Sequence, residues 1–241
     1  KKKSVGRESA MITVVGILPT IFGPFLGGLI LIYFNFTVLF ILSLLLAVVS
    51  FIPLMFSKEI YAKTDFDWKY LIKKTHIKYF FAFFAQGVRG TTRLVFWPLF
   101  IFTILGGYLS MGVYGSVATF VTSIMGMYIG GWADKGGKSF IIRVSGFFEV
   151  IFWMLRAFVS TVAQVFGIGI LGGFSYLGVS IPLLAKSYYR AKKEKVAGFI
   201  FFREMTIRMG GMTVLLIILY IGDVQTAFYV TAITSLFFIF F

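Results

Sequence analysis

Few side chains in this chain can act on a ligand, and the informative ones interrupt long apolar runs. Gln86, Arg89, Arg93 and Trp97 follow one another at spacings of three, four and four, which places them on one face of a helix. A charge at the centre of a membrane helix costs about 2.5–3.5 kcal/mol on insertion scales. Two arginines there form a cationic wall for an anionic or polar solute, unless carboxylates neutralise them. Glu149 and Arg156 lie two turns apart on a later run. Glu149 falls near the depth of Arg89 and can pair with it, either as a structural ion pair or as a proton-coupling carboxylate. Ser175, Tyr176 and Ser180, with Thr119, Thr122 and Ser123, offer hydroxyls to a solute or to a neighbouring helix. Covalent chemistry has little to work with. There is no cysteine, and His76 is the one histidine. No residues have metal-ligand spacing, no Ser/His/Asp set falls within the apolar runs, and no phosphate-loop pattern occurs. These residues predict recognition by shape and charge, without enzyme activity, metal or cofactor.

The elements that hold them must sit in lipid. Of 241 residues, 59% are hydrophobic and only 13% charged, against roughly 25% charged in an average soluble domain. Runs of spanning length fall at roughly 10–32, 37–56, 79–105, 109–131, 140–160, 164–185, 197–221 and 225–241. That predicts an all-α integral membrane protein with about eight transmembrane helices. The net charge is +14, and its distribution excludes nucleic acid as the reason for it. Every Lys and Arg except Arg89, Arg93 and Arg156 falls at 1–9, 57–78, 132–143 or 186–208, while the turns at 33–37, 105–112 and 221–225 have none. Basic residues on alternate connections follow the positive-inside rule, with the basic clusters cytoplasmic against anionic headgroups. The chain opens on Lys1 without a methionine and ends at Phe241 inside an apolar run, so it reads as part of a longer protein.

Between two of these runs lies Gly130-Gly131-Trp132-Ala133-Asp134-Lys135-Gly136-Gly137-Lys138. Gly130, Ala133, Asp134, Lys135, Gly137 and Lys138 match a loop signature of the major facilitator superfamily of transporters, with Ser139 where a second basic residue is usual. Gly23-Pro24-Phe25-Leu26-Gly27-Gly28 resembles the GP-x-x-GG element in helix five of that family's antiporters, with Pro19 where the longer pattern wants glycine. Pro24 predicts a bend, and Gly23 and Gly27 predict close helix packing. Arg7-Glu8 and Arg203-Glu204 open the first and seventh runs as a weak parallel repeat.

The resemblance implies family helices five to twelve. Residues 1–56 would be the last two helices of the N-terminal bundle, 57–77 a cytoplasmic linker, and 78–241 a six-helix C-terminal bundle. It implies alternating access in the cell membrane by a monomer, moving a small solute, with protons as a further partner. Gln86, Arg89, Arg93, Trp97, Ser175 and Tyr176 would line the cavity. Asp134 would close an inner gate against Arg7 and Arg190. The alternative is a non-transporting scaffold or assembly protein that keeps the fold. A water-filled cavity at Arg89 and Arg93 would mark the transporter, and a filled interior the scaffold.

Overall fold

The computed structural model describes residues 4–57, 77–134, 137–193 and 196–241, with backbone alone for 4–17, Leu54, 130–131, 133–134 and Lys192. Among them there is no strand. The helices are α1 (Ser4–Tyr33), α2 (Phe36–Met55), α3 (Ile77–Thr91), α4 (Trp97–Leu105), α5 (Tyr108–Asp134), α6 (Lys138–Arg156), α7 (Val162–Lys193), α8 (Val196–Ile221) and α9 (Val224–Ile239). A single π-turn, Thr92–Phe96, joins α3 to α4 as one rod. Its cause is local. Pro98 has no N–H, and its ring crowds the carbonyl four residues back, at Leu94; the wider turn falls where the ladder must open.

Sequence chemistry sets the ends. The Asp223 carboxylate accepts from the backbone N–H of Gln225 and Thr226 and from the Thr226 hydroxyl, capping α9. Thr161 and Gln164 form a reciprocal capping box at the start of α7. α8 ends at Gly222, whose φ of 79° is a left-handed conformation that glycine adopts without strain.

Five helical segments are long and apolar enough to cross a membrane: Phe36–Pro53, Ile77–Leu105, Tyr108–Ile129, Val162–Ala191 and Val196–Ile221. Leu18–Tyr33 and Val224–Ile239 are shorter apolar helices. α6, expected to span, is not among the five, because Lys138, Arg143, Glu149 and Arg156 interrupt it. α2 is apolar on all sides, and all but one of its described side chains are exposed. Such a helix is stable when its surroundings are themselves apolar.

The chain forms two compact units, 1–63 with 105–120, and 64–104 with 121–241. In the first, α1 crosses the N-terminal half of α5 at small residues. A Cβ on Gly28 would lie 2.7 Å from the Tyr108 carbonyl, and one on Gly112 2.5 Å from that of Pro24. Gly23 and Gly27 have nothing within 4 Å, so the close approach expected of them is made by Gly28 instead. The N–H of Phe25, next to the helix-breaking Pro24, donates to Ser116 Oγ at 3.1 Å. A neighbouring helix thus satisfies a backbone donor beside the proline.

In the second unit, α3 packs on α8, and α6 packs on both α7 and α9. Ala82, Phe83, Phe199, Phe202 and Phe238 are among its buried core. Cβ atoms on Gly87 and Gly210 would collide with the backbone of the facing helix, so α3 and α8 touch almost main chain to main chain. Glycine-rich α7 is packed the same way. Gly178 abuts Ser145, Gly173 abuts Thr122, and Gly172 leaves room for the Arg156 guanidinium.

Candidate functional site

The second unit gathers most of the charged and aromatic residues singled out in the sequence. α3 buries a face of small and apolar residues, Ala82, Ala85 and Val88, and Arg89 continues that face. Its side chain is fully buried and lies 3.5 Å from the Glu149 carboxylate, itself 2% exposed. Arg89 Nη2 donates to Ser180 Oγ at 2.9 Å and Nη1 to the Tyr176 carbonyl at 3.5 Å. Its guanidinium carbon also sits 4.4 Å from the centre of the Tyr176 ring and 4.9 Å from that of Phe238.

Glu149 is held from two further sides. Trp153 Nε1 donates to Oε2 at 2.7 Å, and the Ser175 hydroxyl donates to Oε1 at 3.2 Å. The same hydroxyl also reaches the Gly172 carbonyl at 3.0 Å; with one proton it serves one acceptor at a time. Arg93 stacks on Tyr176 at 3.9 Å and makes no ion pair with a described residue. Arg156 lies 3.9 Å from the Trp153 ring and 4.8 Å from that of Trp97. Stacking of arginine on aromatic faces is favourable, about 2 kcal/mol or more when desolvated. The cluster holds three cations and one carboxylate. It can fix the helices that carry it and keep an excess of positive charge inside the second unit.

Arg89 is wholly buried. Of two clefts in this unit, neither is lined by Arg89 or Arg93. One, of about 470 Å³, lies among α5, α6 and α7 and is walled by Trp132, Phe140, Phe148, Phe152 and Phe174. The other, of about 310 Å³, lies between α3 and α8 and is lined by Gln86, Gly90, Thr91, Leu94, Arg208 and Met212, among others.

Gln86 therefore parts from Arg89. Three residues along a helix turn it by about 60° short of a full circle, enough for the two edges of one stripe to meet different neighbours. Arg208 is the residue that the sequence pattern missed, because it closes the basic cluster at 186–208. Its signal is depth. It stands halfway along the 26 residues of α8, about 18 Å from the helix start at 1.5 Å per residue.

Thr122 and Ser123 are half-buried on the C-terminal half of α5, and Thr119 on its N-terminal half. Arg190 is half-buried near the end of α7, with Tyr79 as an electrostatic neighbour. Lys138 opens α6 after Gly137, whose φ is 80°. Gly130 and Asp134 belong to the last turns of α5 and Arg7 to the first turns of α1, but the side chains of Asp134 and Arg7 lie outside the described residues. So do Lys135, Gly136, His76 and the stretch 58–76, which leaves the gate expectation without geometry. Among the described residues no three His, Cys, Asp or Glu cluster as metal ligands would. No family model matches the chain, and no curated protein matches it.

Proposed function

We propose that this chain is a secondary transporter of the major facilitator type, moving a small solute across the cell membrane by alternating access. The observation that carries this reading is the buried Arg89–Glu149 pair beside a second cation, Arg93, stacked on Tyr176. Ionisable groups within membrane helices are costly, and mark solute and ion pathways. On this reading the eight helical rods are helices five to twelve of the family, α6 spans with its charges turned inward, and the basic connections are cytoplasmic. The solute is anionic or polar, protons are a possible coupling ion through Glu149, and no covalent step occurs.

The complete burial of Arg89 favours a second reading, a membrane scaffold or assembly protein that keeps the fold without transporting. One measurement separates them. The chain has no cysteine, so Met212→Cys is a unique label site in a half-open cleft. In proteoliposomes it should react with a membrane-impermeant thiol reagent applied from either side in separate incubations. Reaction from one side only, or from neither, would leave the scaffold.

A further inference from the structure

The cleft between α3 and α8 combines features that the buried cluster lacks: space, and polar groups with no partner among the described residues. Gln86 and Arg208 both line it, and neither makes a hydrogen bond or ion pair with a described residue. The carboxylate one turn earlier on α8, Glu204, is paired with Arg203 at 3.5 Å. Both groups lie on rods that are long and apolar enough to span, Arg208 near the middle of Val196–Ile221 and Gln86 about a third of the way along Ile77–Leu105. The backbone beneath them is closely packed. Gln86 precedes Gly87, and Arg208 stands between Ile207 and the Gly210–Gly211 pair, where α3 and α8 approach too closely for a Cβ. The rest of the wall is apolar or small: Leu94, Met212, Leu215, Gly90.

We infer that this cleft is a binding site for a small organic anion, with an oxyanion head on Arg208 and Gln86 and an apolar body against Leu94, Met212 and Leu215. A guanidinium presents a planar fork that a carboxylate or phosphate meets with two hydrogen bonds. The Gln86 amide adds a donor beside it. The volume, about 310 Å³, lies at the small end of ligand sites and suits a compact acid. At 1.5 Å per residue Gln86 and Arg208 stand about 14 and 18 Å along their rods, deeper than a headgroup sits, so the site is assigned to an anion from solution. The site deepens the transporter reading and rests on it for its use, while binding itself can be measured alone.

The test is thermal unfolding of the full-length chain in nonionic detergent, titrated with benzoate, hexanoate or inorganic phosphate at constant ionic strength, with hexylammonium as the cationic control. The organic acids should raise the midpoint saturably, and hexylammonium should not. Arg208→Gln should weaken the apparent affinity at least tenfold, Arg208→Lys less, and Arg143→Gln, which alters an exposed cation on α6 outside the cleft, not at all. No saturable response to either acid in the wild-type chain, or an equal response in Arg208→Gln, overturns the site. Loss of the response in phosphatidylglycerol nanodiscs but not in phosphatidylcholine would make a lipid headgroup the ligand, and also overturns it. Two-sided labelling of Met212→Cys without any anion response would sink the site and spare the transporter. An Arg208-dependent response without two-sided labelling would keep the site and sink the transporter.

Discussion

Arg89 and Glu149 show how a charge is kept inside apolar surroundings. Each is almost wholly removed from solvent, and each has hydrogen bonds beyond their mutual contact. A buried pair of this kind need not be more stable than an apolar pair of similar size, but removing one partner strands the other, typically at about 3–5 kcal/mol. Glu149→Ala should therefore destabilise the chain by that order in chemical unfolding from detergent. The double variant Arg89→Met, Glu149→Met should cost clearly less than the sum of the single changes. Additive effects would mean that the pair is not coupled. The pairing was legible in the sequence, because residues at similar depth in two apolar runs had opposite charge. Arg208 was not, because a boundary drawn around clustered cations ignored how far into the helix the last of them lies. The hydroxyls of Ser175 and Ser180 were legible as candidates. That they bind Glu149 and Arg89 depends on how α7 is rotated against α3 and α6, which spacing along one helix does not determine.

Helix positions followed from hydropathy, since each apolar run became a helix whose ends fall near turn residues, as at Asn35, Gly106 and Gly222. Hydropathy leaves α6 out of the spanning set. Its charges count against a span, yet Glu149 and Arg156 are buried, and the exposed surface carries Phe140, Phe147, Phe148 and Phe158 beside the end of the helix. The π-turn before Pro98 left no periodic signal, because one extra residue shifts the register without changing composition. Caps are the most local determinants and the easiest to test. At Asp223, partial burial alone would raise the carboxyl pKa. The hydrogen bonds from the Thr226 hydroxyl and the N–H groups of Gln225 and Thr226 outweigh it and hold the group below its ordinary 3.8. A depressed carboxyl stabilises the fold above its unfolded pKa, and the contribution is lost as pH falls through the lower folded value. Asp223→Ala should thus cost about 1 kcal/mol at neutral pH. The difference between variant and wild type should shrink once the pH drops below about 3.8. A gap that stays constant across that range would show that the charge plays no part in the cap.

At the scale of the whole molecule, composition fixes the surroundings more firmly than any motif fixes the activity. An α2 with apolar residues exposed on every side, and five segments long enough to cross a bilayer, leave little surface fit for water. The glycine-rich turn between α5 and α6 carried the family resemblance, and its key side chains, Asp134 and Lys135, lie outside the described residues. The functional reading accordingly leans on the interior of the second unit. Everything proposed for Arg89, Arg93 and Arg208 requires their helices to cross the membrane, with basic connections on one face and turns free of Lys and Arg on the other. α5 connects one turn of each kind, and the absence of native cysteine allows each end to be labelled alone. In intact cells or sealed vesicles of known orientation, Ser110→Cys and Lys138→Cys should react with an impermeant thiol reagent from opposite sides, Lys138→Cys from the cytoplasmic one. Labelling of both from the same side would contradict the account at its base.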